Sequence, residues 1–573
     1  MAEEVWMLQT KKADFKQIGA RFQIDPVTAR IIRNRGIEGE AAIDRYLNGT
    51  LDDLYDPMLL KDMERAVSIL CEAVDTGKKI RIVGDYDIDG VCSTYILLQA
   101  FERLGSDVDF EIPDRIKDGY GINESIIEQA HADGVEVILT CDNGISAFHQ
   151  VELAKKYGMT VVITDHHEVP LDGEKEKIPP ADAVIDPKQA DCPYPFPEIC
   201  GAVVAYKLVQ VLYARRGVPQ MEWLDLLEFA AIATVGDVMK LQDENRILVK
   251  YGLKKMAQTK NLGLRRLAEK NNLDLGAITA YHIGFVIGPC LNAGGRLKTA
   301  KEALALLRAQ SEEEAERLAE ELKELNDTRK DMTEQGTEAA KLQVESWYQK
   351  DKVLVVFLPE CHESLAGIIA GRLREYYQKP AIVLTRGEEA VKGSGRSIDE
   401  YHMFKKLTEV SDLLLKFGGH PLAAGLSLEE KNIDEFRRRL NENAGLTEED
   451  FKAKVWIDVP MPVGYVTERL VRELSCLEPF GQGNEKPLFA EKSLRIRASR
   501  VLGRNRNVVK MTLEETDGHA IEALYFGDGT AFEEERAGRR EIDVVYYPDI
   551  NEYNGRKTLQ AVIRRYKFRG EMA

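Results

Sequence analysis

Apolar runs alternate with helical patterns between residues 79 and about 190. The apolar runs, which predict strands, are 79–84, 107–112, 135–141, 159–164 and 182–185. The helical patterns between them are 90–104, 123–132 and 146–157. Buried strands that alternate with helices form a parallel sheet with helices on both faces. The sequence therefore predicts an α/β domain with a doubly wound parallel sheet, in which a ligand site lies outside the carboxyl ends of the strands.

Helical patterns dominate on either side of this region. Residues 1–78 predict helices and irregular chain, with an amphipathic helix near 61–76, and residues 200–260 predict further helices. From Ala300 to about Trp347 the chain is highly charged, has helical spacing and contains no proline. This stretch predicts one long, solvated helix that connects two lobes.

Two further patterns occupy the carboxyl-terminal part of the chain. A second α/β pattern begins at the apolar run 353–357 and extends to about residue 445. After residue 455, short β runs separated by glycine-containing turns follow one another at 494–502, 507–514, 520–526, 541–547 and 558–568. Such runs predict a small β-barrel of the OB-fold type.

Composition is that of an ordinary globular protein, with 44% hydrophobic and 30% charged residues among 573. No apolar stretch approaches the roughly 20 residues that a membrane helix needs, and Met1–Trp6 has no feature of an export signal. The eight cysteines are scattered without close pairing, which argues against a disulfide framework or a zinc knuckle. Free thiols fit a reducing compartment. We therefore expect a cytoplasmic protein with no membrane contact.

The formal net charge of −18 speaks against a nucleic-acid partner, because such binding usually rests on basic surface. Local charge matters more than the total, however. A metal site gathers acids that cations then neutralise, and residues 491–573 carry 16 Lys and Arg against 14 Asp and Glu. The charge balance alone therefore does not decide the partner.

Acidic residues and histidines follow the predicted strands. Asp85, Asp87 and Asp89 occupy every second position after the first strand, so on an extended chain their side chains would share one face. Like charges this close are destabilising unless a cation compensates them. Further candidate ligands after later elements are Asp142, the run Asp165-His166-His167, and Asp237.

Carboxylates mixed with imidazoles suit Mn²⁺ or Mg²⁺ better than a structural zinc ion, which favours thiolates. Two divalent ions about 3.5–4 Å apart can stabilise the attacking and leaving oxygens of an in-line displacement at phosphorus. The pattern therefore predicts metal-assisted hydrolysis of a phosphate ester. Taken singly, Asp142 or Asp237 is better explained as a helix N-cap, and the acidic run as a turn or a weak Ca²⁺ site. These explanations leave the two adjacent histidines unaccounted for.

Eight different short motifs are distributed along nearly the whole chain. They are Gly84–Gly90 (GDYDIDG), Ile112–Gly121 (IPDRIKDGYG), Asp142–Ile145 (DNGI), Asp165–His167 (DHH), Ile287–Leu297 (IGPCLNAGGRL), Gly393–Ser397 (GSGRS), Phe417–Gly425 (FGGHPLAAG) and Leu477–Asn484 (LEPFGQGN). In this order they resemble the motifs of the DHH phosphoesterase superfamily, in particular of its RecJ family of single-stranded-DNA-specific exonucleases.

The resemblance implies five segments. They are a helical segment packed on the DHH domain (1–78), the DHH phosphoesterase domain (79–298), a connecting helix (299–347), an α/β DHH-associated domain (348–450) and an OB-fold nucleic-acid-binding domain (451–573). It also implies a protein that acts as a monomer in DNA repair and recombination, with a single-strand-binding protein and a helicase as partners.

The implied activity is processive 5′→3′ hydrolysis of single-stranded DNA to nucleoside 5′-monophosphates, with two Mn²⁺ or Mg²⁺ ions as cofactors and water as the nucleophile. Carried onto this sequence, the resemblance makes Asp142 the bridging ligand. The other implied metal ligands are Asp85, Asp87, Asp89, His166 and Asp237. The implied catalytic residues are Asp142, His166 and His167.

A 5′-exonuclease must hold the terminal phosphate in a fixed place, and arginine presents a planar fork to phosphate oxygens. The candidates, all within the motifs above, are Arg115, Arg296, Ser394 and Arg396. Gly418, Gly419 and His420 would add a loop of backbone amides around a phosphate. The alternative for Arg115 is a surface salt bridge, and the alternative for the two glycines is a plain turn.

Basic residues also lie on one predicted hairpin of the barrel. They are Arg500, Arg504, Arg506 and Lys510. Basic grooves with aromatic platforms suit single-stranded nucleic acid, although many of the barrel's aromatic residues belong to its core.

Alternative functions keep the metals but change the substrate: an oligoribonuclease, a cyclic-dinucleotide phosphodiesterase or a pyrophosphatase. A non-catalytic nucleic-acid-binding scaffold would have lost ligands that this chain retains. A Ca²⁺-binding structural protein would not explain the paired histidines.

Overall fold

The computed structural model describes residues 4–553 and 555–570. The chain forms two compact units: the first comprises residues 54–240 and 244–453, and the second comprises residues 4–53, 241–243 and the described residues from 454 onward. Among all these residues, no helix is both long enough and apolar enough to cross a bilayer. The expectation about an export signal rested on Met1–Trp6, of which Met1–Glu3 lie outside the described residues.

Strands and helices are numbered in chain order. The strands are β1 (Glu4–Leu8), β2 (Ile80–Val83), β3 (Val108–Glu111), β4 (Val137–Cys141), β5 (Thr160–Thr164), β6 (Leu171–Asp172), β7 (Lys175–Glu176), β8 (Ala183–Ile185), β9 (Leu354–Phe357), β10 (Ala381–Arg386), β11 (Val391–Arg396), β12 (Leu414–Gly419), β13 (Ala423–Leu428), β14 (Ala453–Ile457), β15 (Val459–Pro460), β16 (Phe489–Leu502), β17 (Val508–Glu514), β18 (Ala520–Phe526), β19 (Glu541–Tyr553) and β20 (Arg556–Arg569). The α-helices are α1 (Phe15–Phe22), α2 (Pro26–Asn34), α3 (Glu40–Asn48), α4 (Met63–Thr76), α5 (Ile88–Arg103), α6 (Glu124–Ala132), α7 (Phe148–Lys156), α8 (Gly201–Arg216), α9 (Gln220–Leu224), α10 (Leu227–Gly236), α11 (Asp243–Met256), α12 (Leu262–Lys270), α13 (Ala280–His282), α14 (Gly288–Leu297), α15 (Lys301–Leu307), α16 (Glu312–Gln343), α17 (Ala366–Tyr377), α18 (Met403–Thr408), α19 (Ile433–Glu442), α20 (Glu468–Leu474) and α21 (Gly529–Arg536).

A five-stranded parallel sheet forms the first part of the first unit. Its strand order is β3-β2-β4-β5-β8, so the chain winds outward in both directions from β2. Every residue of β2, β4 and β8 is buried, because helices such as α5, α7 and α8 pack against the sheet. The predicted doubly wound sheet is confirmed, and the carboxyl ends of its strands share one edge.

The helix predicted to connect two lobes is interrupted. α15 ends at Leu307, and α16 begins after Ser311, whose hydroxyl accepts a hydrogen bond from the Glu314 N–H at 3.2 Å. α16 is about 48 Å long, and its buried residues recur along one face from Ala315 to Ala340. The expectation of one solvated helix is therefore wrong, because this face packs on α12, α14 and α17.

A second, mixed sheet completes the first unit. Its strand order is β12-β13-β11-β10-β9, with β9 and β10 parallel and the other neighbours antiparallel. The α/β pattern predicted from residue 353 to about 445 is thereby confirmed.

A closed β-barrel dominates the second unit. The strands follow the order β16-β17-β18-β20-β19, and β19 pairs again with β16, which closes the barrel. α21 lies between β18 and β19, and β18 pairs in parallel with β20. This is the five-stranded Greek-key arrangement of an OB-fold, as predicted.

The amino-terminal segment differs from expectation. Ile31 and Ile32 of α2, together with Ile43 and Tyr46 of α3, are buried in the same core as the barrel residue Phe489. Residues 4–53 therefore belong to the unit of the barrel, and the expectation that residues 1–78 pack on the parallel-sheet domain is corrected for them. Apolar periodicity identifies the buried face of a helix but not the partner that covers it.

Candidate metal centre and anion-binding cavity

The acidic run after β2 turns into a helix instead of remaining extended. Asp87 is the N-cap of α5, and its carboxylate accepts hydrogen bonds from the Asp89 N–H at 2.9 Å and the Gly90 N–H at 3.1 Å. The expectation that three aspartates share one face of an extended chain is therefore wrong. The turn still holds the acids at the carboxyl edge of the sheet, with Asp85 and Asp89 buried.

Two groups of acidic ligands form at this edge. In one group, Asp89, His166 and Asp237 have ligand atoms within 4.8 Å of one another, and in the other, Asp85, Asp87 and Asp142 do. The Asp142 Oδ1 atom also lies 3.0 Å from His166 Nε2, so Asp142 adjoins both groups. The structure thus brings together all the residues that the sequence analysis assigned as metal ligands.

Burial and mutual repulsion raise the pKa values of three of the acids, Asp85, Asp142 and Asp237. Burial, and next the charge of Asp89, raises the pKa of Asp142 well above its usual range. The same two causes raise the pKa of Asp237 to about 8. Burial and then the charge of Asp87 raise the pKa of Asp85. Buried carboxylates that repel one another this strongly require a compensating positive charge.

His166 has the protonation state of a metal ligand. Burial lowers its pKa, which keeps the imidazole neutral. Its Nε2 atom lies 3.4 Å from Asp89 Oδ2 and 3.8 Å from Asp237 Oδ2. Its Nδ1 atom is buried and has no hydrogen-bond partner among the described residues. Carboxylates with one neutral imidazole are a donor set that fits Mn²⁺ or Mg²⁺.

Asp165 holds both histidines in place, a role that the sequence analysis missed. Its buried carboxylate accepts hydrogen bonds from the N–H groups of Ile145 at 2.9 Å and His166 at 2.8 Å. It also lies 2.8 Å from His167 Nδ1. Burial, the largest single cause, would lower the pKa of His167, but the hydrogen bond with Asp165 and the charges of Asp165, Asp237 and Asp89 together raise the pKa to about 9. The available signal was the position of Asp165 in the same triplet as the histidines.

The amino terminus of α8 holds Asp89, which the sequence analysis also missed. The Gly201 and Ala202 N–H groups donate to the two carboxylate oxygens of Asp89 at 2.7 and 2.8 Å. A Cβ atom at Gly201 would lie 2.7 Å from the Asp142 Cβ, so only glycine permits this approach. The positive end of the helix dipole stabilises the charge of Asp89. The sequence around Gly201 gave no signal for this role.

The helix N-cap explanations for Asp142 and Asp237 do not hold. Asp142 has a φ of +61°, in the left-handed region that Asp tolerates better than most residues. The N-cap of the next helix, α7, is Ala147. Asp237 follows α10 as its C-cap. Their carboxylates are therefore available to the acidic groups.

A cavity of about 670 Å³ adjoins the metal centre. Tyr86, which stands between Asp85 and Asp87, lines it. The four residues predicted to bind a terminal phosphate line the same cavity; they are Arg115, Arg296, Ser394 and Arg396. The structure thus joins residues from the parallel sheet and from the mixed sheet in one place.

Positive charge is concentrated in this cavity. Burial, and next the charge of Arg115, lowers the pKa of Arg296 to about 10. Burial, and next the charge of Arg374, lowers the pKa of Arg396. Arg372 and Lys392 also line the cavity, although the sequence analysis did not single them out. Partly buried cations that repel one another favour an anionic ligand.

The amino terminus of α17 adds to the anion-binding character of the cavity. Ala366 and Gly367, in its first turn, line the cavity. A Cβ atom at Gly367 would lie 2.9 Å from Arg396 Nη2 and 3.0 Å from Ser394 Oγ, so a larger residue would have to displace the end of the Arg396 side chain. The positive end of the helix dipole favours an anion there, although the Ala366 N–H itself donates to the Glu363 carbonyl oxygen.

Gly418, Gly419 and His420 do not form a loop of free backbone amides. Gly418 and Gly419 end strand β12, and the His420 N–H donates to the Ala423 carbonyl oxygen at 2.7 Å. Gly418 pairs with Gly425, which pairs with Ser394, so it lies two strands away from Ser394. Pairing with β13 makes this segment a strand and not a loop, and its part in binding phosphate stays a prediction.

The four basic barrel residues occupy one hairpin of the second unit. Arg500 of β16 pairs in register with Lys510 of β17, and Arg504 and Arg506 lie exposed in the connecting turn. Lys510 forms an ion pair of 2.9 Å with Glu522. The Arg506 guanidinium donates to the Thr530 hydroxyl at 3.0 Å. Arg500 and Arg504 are exposed on this hairpin.

Family models match three parts of the chain. A model described as the DHH family, N-terminal domain, matches residues 79–234. The DHHA1 domain matches residues 350–445. The RecJ OB domain matches residues 457–565.

Known proteins resemble the chain over nearly its whole length. The single-stranded-DNA-specific exonuclease RecJ of Bacillus subtilis (strain 168) is 36% identical over 564 residues, which cover 98% of this chain and 70% of that protein. The enzyme of the same name from Escherichia coli (strain K12) is 34% identical over 564 residues, which cover 94% of this chain and 96% of that protein.

Two crystal structures of RecJ from Thermus thermophilus have the same fold. The structure in complex with Mn²⁺ has a TM-score of 0.84 and 28% identity, and the match covers 99% of this chain and 80% of that one. The structure in complex with Mg²⁺ has a TM-score of 0.77 and 27% identity, covering 99% and 78%. With more than 30% identity to curated relatives over almost all of its residues, the chain belongs to the RecJ family of the DHH superfamily.

Proposed function

We propose that this protein is a metal-dependent exonuclease specific for single-stranded DNA, as its RecJ relatives are named. The observation that carries the proposal is the position of Tyr86, which lies between two acidic ligands and also lines the cationic cavity. A phosphate bound in the cavity is therefore close to the metal centre. One substrate strand can place its terminal phosphate in the cavity and its next phosphodiester at the metal centre.

The proposed cofactors are two divalent cations, and the residues present fit them. The chemistry that Mn²⁺ or Mg²⁺ supplies when bound is the activation of water and the stabilisation of negative charge on phosphate oxygens. Asp142 would be shared between the two ions, because it adjoins both ligand groups. Asp85 and Asp87 would complete one site, and Asp89, His166 and Asp237 the other.

The remaining residues of the metal centre orient its ligands. α8 fixes the Asp89 carboxylate through two N–H groups, and Asp165 fixes the backbone of the histidines. His167, whose pKa of about 9 keeps it protonated at neutral pH, adds a positive charge beside the reacting phosphate. Asp142, His166 and His167 are thus the proposed catalytic residues.

The cavity sets the proposed polarity. Arg115, Arg296 and Arg396 would bind a 5′-terminal phosphate, with Ser394 as an additional donor. Hydrolysis of the next phosphodiester would release a nucleoside 5′-monophosphate and leave a new 5′-phosphate, so degradation proceeds 5′→3′.

The wider setting follows from the same proposal. The barrel, with Arg500 and Arg504 exposed on its hairpin, would bind the strand away from the cut. We infer the domain boundaries 79–298, 299–347, 348–450 and 451–573, and a monomer that serves DNA repair and recombination in the cytoplasm. A single-strand-binding protein and a helicase, which would expose single strands, are its proposed partners.

One digestion assay tests these points together. Single-stranded DNA, double-stranded DNA and single-stranded RNA, each labelled at the 5′ or the 3′ end, are incubated with Mn²⁺, Mg²⁺ or a chelator, and the products are sized. We expect labelled mononucleotides to appear first from 5′-labelled single-stranded DNA, and no products with the chelator. Early release of a 3′ label would reverse the polarity, and equal digestion of RNA would support an oligoribonuclease instead.

A further inference from the structure

Two tyrosines connect the cavity to the metal centre. Tyr86 lines the cavity, and the Arg115 guanidinium lies over its ring, 4.5 Å from the centroid. The ring of Tyr120 meets the ring of Tyr86 edge to face, with centroids 6.5 Å apart and an interplanar angle of 85°. Both contacts of Tyr86 are made by its aromatic face and edge.

The other end of Tyr120 contacts the metal centre. Its hydroxyl donates to the Asp142 carbonyl oxygen at 2.8 Å and lies 3.0 Å from His167 Nδ1. The rings of Tyr120 and His167 also pack edge to face, with centroids 5.3 Å apart. Tyr120 therefore contacts both Asp142, which adjoins the two ligand groups, and His167.

The chain around the two tyrosines is fixed to the same two sites. The Gly121 N–H, directly after Tyr120, donates to Asp85 Oδ1 at 3.3 Å, and the Ile122 N–H donates to Asn143 Oδ1 at 3.2 Å. A Cβ atom at Gly295, next to Arg296, would lie 2.3 Å from the Tyr86 carbonyl oxygen. These contacts join Arg115 and Arg296 to Tyr86, and Tyr86 to Tyr120.

We propose that Tyr86 and Tyr120 are positioning residues that couple the binding of a 5′-terminal phosphate in the cavity to the metal centre. The inference rests on the proposed function and deepens it. A phosphate that draws Arg115 away from, or onto, the Tyr86 ring changes the packing of Tyr120. Tyr120 in turn carries the change to the Asp142 backbone and the His167 ring.

The two residues act through different groups, which gives a distinctive pattern of variants. Tyr86 contributes its ring, so Tyr86→Phe should retain the coupling and Tyr86→Leu should lose it. Tyr120 reaches Asp142 and His167 through its hydroxyl, so Tyr120→Phe should lose the coupling although the ring remains. A purely structural role would not separate the two Tyr→Phe variants in this way.

Linkage allows the coupling to be measured without turnover. If a 5′-phosphate tightens metal binding, the metal tightens phosphate binding by the same factor. Mn²⁺ is titrated calorimetrically into the metal-stripped full-length protein in the presence of a short phosphorothioate-linked single strand, which resists hydrolysis. The strand carries either a 5′-phosphate or a 5′-hydroxyl, so the difference between the two isolates the terminal phosphate.

For the wild type we expect the 5′-phosphorylated strand to lower the Kd for Mn²⁺ about fivefold or more relative to the hydroxyl strand. Tyr86→Phe should keep this ratio, whereas Tyr86→Leu and Tyr120→Phe should bring it below about twofold. The matched control is Tyr281→Phe, an exposed tyrosine that stacks on Phe285 and should keep the wild-type ratio.

Two results would overturn the coupling. One is a wild type that digests single-stranded DNA but binds Mn²⁺ equally with both strands. The other is a Tyr120→Phe variant that keeps the wild-type ratio. A wild type that neither binds Mn²⁺ nor digests single-stranded DNA would instead contradict the proposed function itself.

Discussion

The metal centre and the cavity carry opposite charges, but the same two effects, burial and repulsion between like charges, act on the side chains of both. In the first, the pKa values of Asp85, Asp142 and Asp237 are raised, and in the second, those of Arg296 and Arg396 are lowered. In each, burial and like-charge repulsion destabilise the charged form. The comparison teaches that each site favours a ligand of the opposite charge, which is a divalent cation at the acids and, as proposed, a phosphate at the arginines.

The two sites differ in how the chain builds them. The metal centre lies at one edge of one parallel sheet, and Asp142 there adopts a left-handed backbone conformation. The cavity draws on regular elements, including β11 and α17 of the mixed-sheet part and α14 near the parallel sheet. Turns and helix ends next to one edge of the sheet position the acids, whereas elements far apart along the chain contribute the arginines.

The largest expected effect comes from Asp142, the acid that adjoins both ligand groups of the metal centre. Asp142→Asn keeps the shape but removes the charge that adjoins both ligand groups, so hydrolysis of single-stranded DNA should fall by about 10³-fold or more and Mn²⁺ uptake should weaken. Because a buried, repelled charge is lost, the Tm of the metal-free protein should rise. Turnover, calorimetry and thermal unfolding measure the three effects. Asp434→Asn, an exposed change on α19, is the control, and wild-type turnover by Asp142→Asn would refute the assignment.

Glu228, an isolated buried acid outside both sites, provides a contrast to the clustered acids of the metal centre. Glu228 is 3% exposed and accepts a hydrogen bond from the Thr259 hydroxyl at 2.6 Å. Burial raises its pKa from 4.5 to about 7. Its contribution to stability is therefore fully present below about pH 4.5 and is lost as the pH rises through about 7.

Glu228→Gln should remove this pH dependence. Above about pH 8 the variant should be more stable than the wild type by on the order of 3 kcal/mol, because the wild type must bury a charge there. Denaturant unfolding between pH 5 and 8 measures the difference in the free energy of unfolding. Glu324→Gln, on the exposed side of α16, should follow the wild-type curve. A parallel pH profile for Glu228→Gln would show that this carboxyl ionises as freely as an exposed one.

Removal of Arg396 tests whether the cationic cavity binds the terminal phosphate. Arg396→Ala deletes a charge-assisted donor to the terminal phosphate, so kcat/KM for a 5′-phosphorylated strand should fall about 10- to 100-fold. The value for a 5′-hydroxyl strand should change little. The ratio of the two kcat/KM values is the readout, and Arg374→Ala, which removes a nearby guanidinium that does not line the cavity, is the control. An unchanged ratio would place phosphate binding elsewhere.

The smallest expected effect concerns the backbone next to the metal centre. Val238 follows Asp237 with a φ of +58°, a conformation that a β-branched residue rarely adopts, and its side chain is 66% exposed. Val238→Gly should raise the free energy of unfolding by about 1 kcal/mol, because glycine adopts this conformation without steric strain. Thermal unfolding measures this change in the free energy of unfolding. The control is Val218→Gly, which should destabilise the protein because the φ of Val218 is not positive. A less stable Val238→Gly would mean that the valine side chain contributes more than its exposure indicates.

Most acidic residues of the metal centre could be predicted because they lie just after strands of one sheet, whereas Asp237 follows helix α10. Parallel strands place their carboxyl ends at one edge, so Asp85, Asp142 and His166 converge once the strands are recognised. The supporting groups could not be predicted. Gly201 acts through close approach, and the proposed role of Tyr120 rests on a single hydroxyl. The motif that contains Tyr120 supported the family resemblance but gave no signal for that role.

The alternation of apolar and polar residues determined the strands, most of the helices, and the order of sheet, mixed sheet and barrel, because periodicity reports which face of an element is buried. The kinds of side chain likewise indicated a site for divalent cations and the proposed site for a phosphate. Tertiary structure alone decided that residues 4–53 join the barrel, that the long helix is broken before Ser311, and that Gly418 and Gly419 form a strand. Those outcomes depend on which buried face meets which partner, and that information lies in contacts between residues far apart along the chain.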